Sequence, residues 1–290
     1  MLLSKLIPIL FFSKSGLKNR QLSVMKMSES DLNYEKKLIL IRHGCTHMNE
    51  YLERPGSRWG DPNFTDIFDA HELDLYKDSM LSEKGIEQAK DLHQFFHSEE
   101  GKLLLQDVEL VAVSPLKRTL QTFEIGVIPH LINSQKTKPK IIAQPLATER
   151  LYLVSDLGSS IESLRRLFPF VDFSSEFERF GDEWWFTVKE EVIERSDEKH
   201  KFSSIHVDDY EEWRPCEENQ RYSCHGEPDI IFYDRMKALY EWIEDREEKV
   251  IMLVCHWGVL GHLTDRDFKN CEVHTTTLQE IRTVLNSKCD

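Results

Sequence analysis

The sequence has few cysteines, no long apolar run and no excess of positive charge, and each shortage excludes something. Six cysteines, at positions 45, 216, 224, 255, 271 and 289, are spread over 290 residues, and no CxxC pair occurs. That is too sparse for a disulfide scaffold and points to a reducing compartment, the cytoplasm. Cys216, Cys224 and His225 fall near one another but match no zinc-ligand spacing, so no metal and no cofactor are expected. The apolar stretch Leu6 to Phe12 is too short to span a bilayer, and no other stretch is longer, so no membrane partner is expected. Lys+Arg number 37 against 51 Asp+Glu, a formal net charge of 37 − 51 = −14. Polyphosphate backbones attract basic faces, so a nucleic-acid partner is disfavoured. An acidic chain can still hold one phosphate ester where Arg and His converge.

What is present is globular. Forty per cent of residues are hydrophobic and 30% charged, and 16 Phe, 6 Trp and 8 Tyr need burial. The first 28 residues carry Lys5, Lys14, Lys18, Arg20 and Lys26 and no acid. Residues 1–30 read as a disordered leader, either an organellar transit peptide or a stretch preceding a start at Met25 or Met27. Residues 31–290 then form one domain. Leu38 to Ile41, Val108 to Val113 and Val250 to Val254 read as buried strands, with Ile141 and Ile142 in a fourth. Ser82 caps a predicted helix on which Ile86, Ala89, Leu92, His93 and Phe96 recur at helical spacing. Ser114-Pro115 predicts a helix start, and Tyr233, Met236, Tyr240 and Ile243 form another helical stripe. Residues 50–80 read as a long loop. Residues 208–213 read as an acidic solvated insertion, and Trp184-Trp185 and Phe168-Pro169-Phe170 as packed. Apolar strands alternating with amphipathic helices predict an α/β domain with a mainly parallel sheet.

Three strand ends carry unusual residues. The first delivers Arg42 and His43, the second runs into Ser114 and a helix bearing Arg118, and the third delivers His256. In open α/β sheets the site lies beyond the carboxyl ends of the strands, so these groups are expected to meet. A neutral imidazole can attack phosphorus, two guanidiniums can hold the non-bridging oxygens, and a second His can face the developing charge. A carboxylic acid would protonate the leaving alkoxide. With side chains supplying every cation, that chemistry needs no metal. Rival signatures are missing: no GxxxxGK[ST] loop, no HExxH, no Cys followed six residues later by Arg, no strand followed by Asp-x-Asp.

These motifs resemble the histidine phosphatase superfamily, in its phosphoglycerate-mutase-like branch. Arg42-His43-Gly44-Cys45-Thr46-His47-Met48-Asn49 resembles RHGxTxxN, and Leu81-Ser82-Glu83-Lys84-Gly85-Ile86-Glu87-Gln88-Ala89 resembles L[ST]xxGxxQA. Ser114 to Thr122 resembles SPxxRxxQT, and Val254-Cys255-His256-Trp257-Gly258 resembles the closing strand-His-Gly element. The four occur in family order over roughly residues 36–285. Ser155 to Ser159, Phe168 to Phe173 and Asn270-Cys271-Glu272 are similar to a plant and fungal subgroup. The resemblance implies a three-layer α/β/α sandwich with a mainly parallel central sheet. It implies His43 as the phosphoryl-accepting nucleophile, Arg42 and Arg118 as phosphate ligands, His256 completing the pocket and Asn49 at its rim. Glu149 falls where the family places its proton donor, with Asp156 as the other candidate acid. Trp257 replaces a usual small residue and is expected to narrow or shield the pocket.

True mutases of this kind carry RHGES and a nearby Trp-Asn. Cys45-Thr46 here replaces Glu-Ser, and Met48 precedes Asn49. The expected activity is therefore metal-independent hydrolysis of a small phosphate monoester through phospho-His43. The alternatives are mutase-type phosphoryl transfer and a catalytically weak binding or regulatory protein. The expected partner is a small phosphorylated metabolite.

Overall fold

Residues 38–41, 110–113 and 251–254 are apolar without alternation, and each lies in a strand buried on both faces. The computed structural model describes residues 35–57, 70–134, 138–174, 176–177, 184–185, 227 and 229–288. The leader 1–30, the segment 208–213 and Cys216, Cys224 and His225 lie outside the described residues.

The strands are β1 (Lys37–Arg42), β2 (Leu110–Val113), β3 (Lys140–Ala143), β4 (Val250–Cys255) and β5 (Val273–Thr277), in the sheet order β3-β2-β4-β1-β5. β1, β2, β3 and β4 run parallel, with Leu40 and Ala112 both opposite Leu253. β5 pairs antiparallel with β1 at the edge, Thr275 opposite Ile39. The helices are α1 (His47–Glu53), α2 (Ala70–Tyr76), α3 (Glu83–His97), α4 (Glu99–Leu105), α5 (Lys117–Gly126), α6 (Ile128–Ser134), α7 (Ile161–Leu167), α8 (Asp229–Asp245), α9 (Trp257–Thr264) and α10 (Leu278–Ser287).

The period of two along each strand divides the core into two. Ile39, Ile41, Val111, Val113, Met252 and Val254 pack with Leu92 and Phe96 of α3 and Leu120 and Phe123 of α5. Leu38, Leu40, Leu110, Ala112, Ile251 and Leu253 pack on the other side with Met236, Leu239 and Ile243 of α8, Leu260 of α9 and Ile281 of α10. The domain is thus the expected three-layer α/β/α sandwich. Trp184 and Phe168 are buried in the first core, as their aromatic clustering predicts.

Ser82 caps α3 as expected, its hydroxyl accepting from the Gly85 amide at 3.3 Å. α3 begins against the chain leaving β1: a Cβ on Gly85 would stand 1.9 Å from the Cys45 carbonyl oxygen. Gly85→Ala is expected to cost about 2 kcal/mol or more, read by denaturant unfolding, since backbone rather than a mobile side chain must move.

Several expectations are corrected. Ser114 does not cap the following helix; Leu116 occupies the N-cap and α5 starts at Lys117. Ser114 stays tied to the sheet, its amide donating to the Val254 carbonyl at 2.9 Å, and the chain bends at Pro115 and Leu116 before the helix begins. Residues 50–80 are not one long loop: α1 runs through Glu53, and α2 occupies Ala70–Tyr76. α1 starts from a capping box in which Thr46 and Asn49 bond reciprocally. On α8 the buried stripe passes through Phe232, Met236, Leu239, Tyr240 and Ile243, and Tyr233 is half exposed. β5, with sequence VHTTT, has no apolar run to announce it.

Candidate active site

Parallel pairing puts the carboxyl ends of β1, β2, β3 and β4 on one edge. Arg42 ends β1 and His43 follows it. Ser114 follows β2, the chain after β3 carries Glu149, and His256 follows β4. The backbone at His43 is held from four sides. Its amide donates to the Cys255 carbonyl at 3.1 Å, and its carbonyl accepts from Asn270 Nδ2 at 2.9 Å and the Cys271 amide at 3.3 Å. The Gly44 amide donates to Thr122 Oγ1 at 2.9 Å.

The sheet brings the two distant imidazoles together. The His43 and His256 rings lie 5.1 Å apart between centroids, at 57°. His43, Arg118 and His256 are 4%, 3% and 0% exposed, so their charges interact with little screening. His43 Nδ1 is 2.7 Å from the Gly44 carbonyl oxygen. A carbonyl only accepts, so Nδ1 carries the proton and Nε2 keeps its lone pair. Burial, then the guanidiniums of Arg118 and Arg42, hold the His43 pKa well below the usual imidazole value. Near neutral pH the ring is therefore neutral, protonated on Nδ1 alone.

His256 is tied in the opposite tautomer. Arg118 Nε donates to its Nδ1 at 3.2 Å, and its Nε2 is 2.7 Å from Ser114 Oγ. Because Arg118 cannot accept, Nε2 bears the proton and donates to Ser114. Burial and the charge of Arg118 again depress the pKa. Arg118 also donates through Nη1 to the Ser155 carbonyl at 2.6 Å and through Nη2 to Asp156 Oδ1 at 2.9 Å. A guanidinium has five N–H groups, so the two Nη groups retain donors for an anion. Arg42 gives one Nη1 bond to the Phe268 carbonyl, and its Nε is buried with no partner. A buried donor without an acceptor is costly, and an anion's oxygen would satisfy it.

The two candidate acids separate cleanly. Asp156 is committed on both oxygens: Oδ1 to Arg118, Oδ2 to the amides of Tyr152 at 3.1 Å and Leu153 at 2.9 Å. It orients the guanidinium. Glu149 accepts from the Arg150 amide at 2.9 Å and the Gly258 amide at 3.2 Å, against the first turn of α9. A Cβ on Gly258 would lie 2.4 Å from Glu149 Oε1, so only glycine admits the carboxyl there. Burial and the charge of Asp156 push the Glu149 pKa up, outweighing Arg118 and the two amides. Asp156→Ala breaks a buried ion pair and is expected to cost about 3 kcal/mol or more. It also removes one cause of the raised Glu149 pKa. Activity of the variant should therefore begin to fall at a lower pH on the alkaline side, a shift that a purely structural loss would not produce.

A second buried ion pair holds the segment carrying Glu149. Arg235 of α8 donates to both carboxylate oxygens of Glu227, at 2.9 and 2.6 Å, and through Nη1 to the carbonyls of Leu146 at 2.9 Å and Thr148 at 2.7 Å. The Leu151 amide reaches Glu227 Oε2 at 3.3 Å. The sequence reading missed this clamp. Its one signal was a lone Arg beside Met236 on the apolar face of a helix. Ser114 was missed too, because its hydroxyl serves His256 instead of the helix cap.

Two expected site residues make their described hydrogen bonds elsewhere. Asn49 Oδ1 accepts from the Thr46 amide at 3.1 Å, so its carbonyl oxygen is spent on starting α1. Trp257 is half exposed, its Nε1 donating to Asp267 Oδ1 at 2.6 Å. No described hydrogen bond or ring contact joins either side chain to Arg42, His43, Arg118 or His256.

The fold sets two imidazoles and two guanidiniums together at the carboxyl edge of the sheet in an α/β domain. Residues 38–133, about a third of the chain, match the family model of the Histidine phosphatase superfamily (branch 1). The match takes in Arg42, His43, Ser114 and Arg118. Glu149, Asp156 and His256 lie beyond it and reach the pocket through the fold. No curated protein matches the chain. Among solved structures, it is similar to the ecdysone phosphate phosphatase of Bombix mori in complex with tungstate: 13% identity, 83% of this chain and 88% of that one, TM-score 0.44. It is also similar to a proposed alpha-ribazole-5'-P phosphatase of Escherichia coli K-12 MG1655: 16% identity, 84% and 90% coverage, TM-score 0.42. Among the described residues, no helix is long and apolar enough to cross a membrane.

Proposed function

We propose that the chain hydrolyses a small phosphate monoester by covalent catalysis on His43. Nε2 of His43 attacks phosphorus, an N–P bond forms and the ester P–O bond breaks. The departing alkoxide takes the proton of Glu149. Water then attacks phospho-His43, the N–P bond breaks, and inorganic phosphate leaves. In the transition state charge spreads over three equatorial oxygens. The unpaired Nε of Arg42, the remaining Nη donors of Arg118 and the His256–Ser114 pair are the groups available to hold them.

The observation that carries this reading is the fixed tautomer of His43. With Nδ1–H bound to the Gly44 carbonyl and the ring kept neutral by burial and two guanidiniums, its only free valence is a nucleophilic lone pair. The net charge of −14 favours a small ester over a nucleic acid. The free thiols of Cys45, Cys255 and Cys271 support a cytoplasmic setting.

Hydrolysis is favoured over isomerisation because Cys45-Thr46 stands where the mutases it resembles carry Glu-Ser. The test is a pair of assays, one with an aryl phosphate, the other with 3-phosphoglycerate primed by 2,3-bisphosphoglycerate. Phosphate release is expected to dominate. Mutase turnover faster than phosphate release would overturn the ordering.

A further inference from the structure

Three histidines gather on the outer side of the sandwich. His93 and His97 stand one turn apart on α3, and His130 faces them from α6. His97 Nε2 lies 3.1 Å from His93 Nε2, and His130 Nε2 lies 2.9 Å from His93 Nδ1. The three ring centroids are 4.4, 4.6 and 4.7 Å apart. One nitrogen from each residue lies within 4.8 Å of the others, and no other such group occurs among the described residues. The catalytic pocket is remote: α3 meets Cys45 at Gly85, and at ~1.5 Å rise per residue His93 and His97 lie roughly 12 and 18 Å further along the helix axis.

We propose that His93, His97 and His130 bind a borderline divalent transition-metal ion of the Zn²⁺ class, which clips α3 to α6. The donor set is all imidazole, suited to Zn²⁺, Co²⁺, Ni²⁺ or Cu²⁺ and unsuited to Mg²⁺ or Ca²⁺, which take oxygen. A tetrahedral ion with bonds of ~2.0–2.1 Å sets its nitrogens roughly 3.3 Å apart, so the three rings would close in on it from their present spread of up to 4.8 Å. The Phe96 ring, 6.0 Å from His130 between centroids, flanks the site, and exposed His97 leaves an entry path and a fourth position for water. The site is separate from the proposed hydrolysis and supplies no step to it.

The test uses the full chain stripped of metal, titrated with ZnCl₂ and separately with CoCl₂. Co²⁺ is expected to give visible d–d bands without thiolate-to-cobalt charge transfer, which separates imidazole ligation from binding at the cysteines. Zn²⁺ is expected to raise the melting temperature by about 3 °C or more. His97→Gln and His130→Gln should each weaken binding by on the order of tenfold or more. His97→Gln, at an exposed position, should leave the metal-free melting temperature unchanged. Absence of the Co²⁺ bands, a spectrum dominated by thiolate charge transfer, or undiminished affinity in His97→Gln would overturn the site. So would undiminished affinity in a folded His130→Gln, which would leave an ordinary helical pair.

Discussion

His43→Ala is expected to lower turnover by about 10⁴-fold or more, because no other group in the pocket can take its place as nucleophile. The second imidazole is no substitute. His256 Nδ1 accepts from Arg118 Nε and its Nε2 proton is directed at Ser114, so both nitrogens are occupied. The fold should survive, since the His43 side chain makes one hydrogen bond, to the neighbouring Gly44 carbonyl, and the backbone around it is held by bonds that alanine keeps. The measurement is rapid acid-free quench with a labelled aryl phosphate. Wild-type protein should carry an acid-labile, alkali-stable label during turnover, and His43→Ala should carry none. A labelled His43→Ala protein, or one that turns over normally, would remove His43 from the reaction.

The pocket was legible in part because its members obey local grammar. An apolar strand that stops at Arg42-His43, and another that stops at His256, put costly groups where only a site explains them. Parallel topology then carries both to one edge. What the sequence could not convey is how each group is committed. Asp156 and Glu149 are both acids seven residues apart, yet one is spent on Arg118 and two amides while the other lies against the glycine of α9. That distinction depends on the 3₁₀ turn at Val154–Asp156 and on the Arg235–Glu227 clamp, whose partners come from separate parts of the chain. Ser114 was misread for the same reason. Ser-Pro is a good helix start in isolation, but the bond from the Ser114 amide to the Val254 carbonyl holds Ser114 to the sheet, and the helix begins three residues later. β5 escaped notice because an edge strand rich in threonine lacks the apolar run by which buried strands are recognised.

Glu149→Gln provides the sharper test, because its effect depends on the leaving group. An alkyl phosphate releases a strongly basic alkoxide that must be protonated as the P–O bond breaks, so loss of the carboxyl proton is expected to slow this substrate by about 10²–10⁴-fold. An aryl phosphate releases a weakly basic phenolate and needs little help, so phosphorylation of His43 should survive. The second step uses the same carboxylate, now ionised, to take a proton from the attacking water. The variant should therefore show a burst of phenolate equal to the enzyme present, followed by slow turnover. The pH profile follows from the same two groups. Neutral His43 is present above its depressed pKa and is lost as pH falls through it. Protonated Glu149 is present below its raised pKa and is lost as pH rises through it. Wild-type alkyl phosphatase activity should therefore fall on the acid side with loss of neutral His43 and on the alkaline side with loss of the Glu149 proton. Glutamine does not titrate, so the variant should lose the alkaline decline that belongs to the enzyme. Ionisation of the substrate is common to both proteins and cancels in the comparison. Equal losses for alkyl and aryl bursts, or an unchanged alkaline decline, would assign the proton to another group.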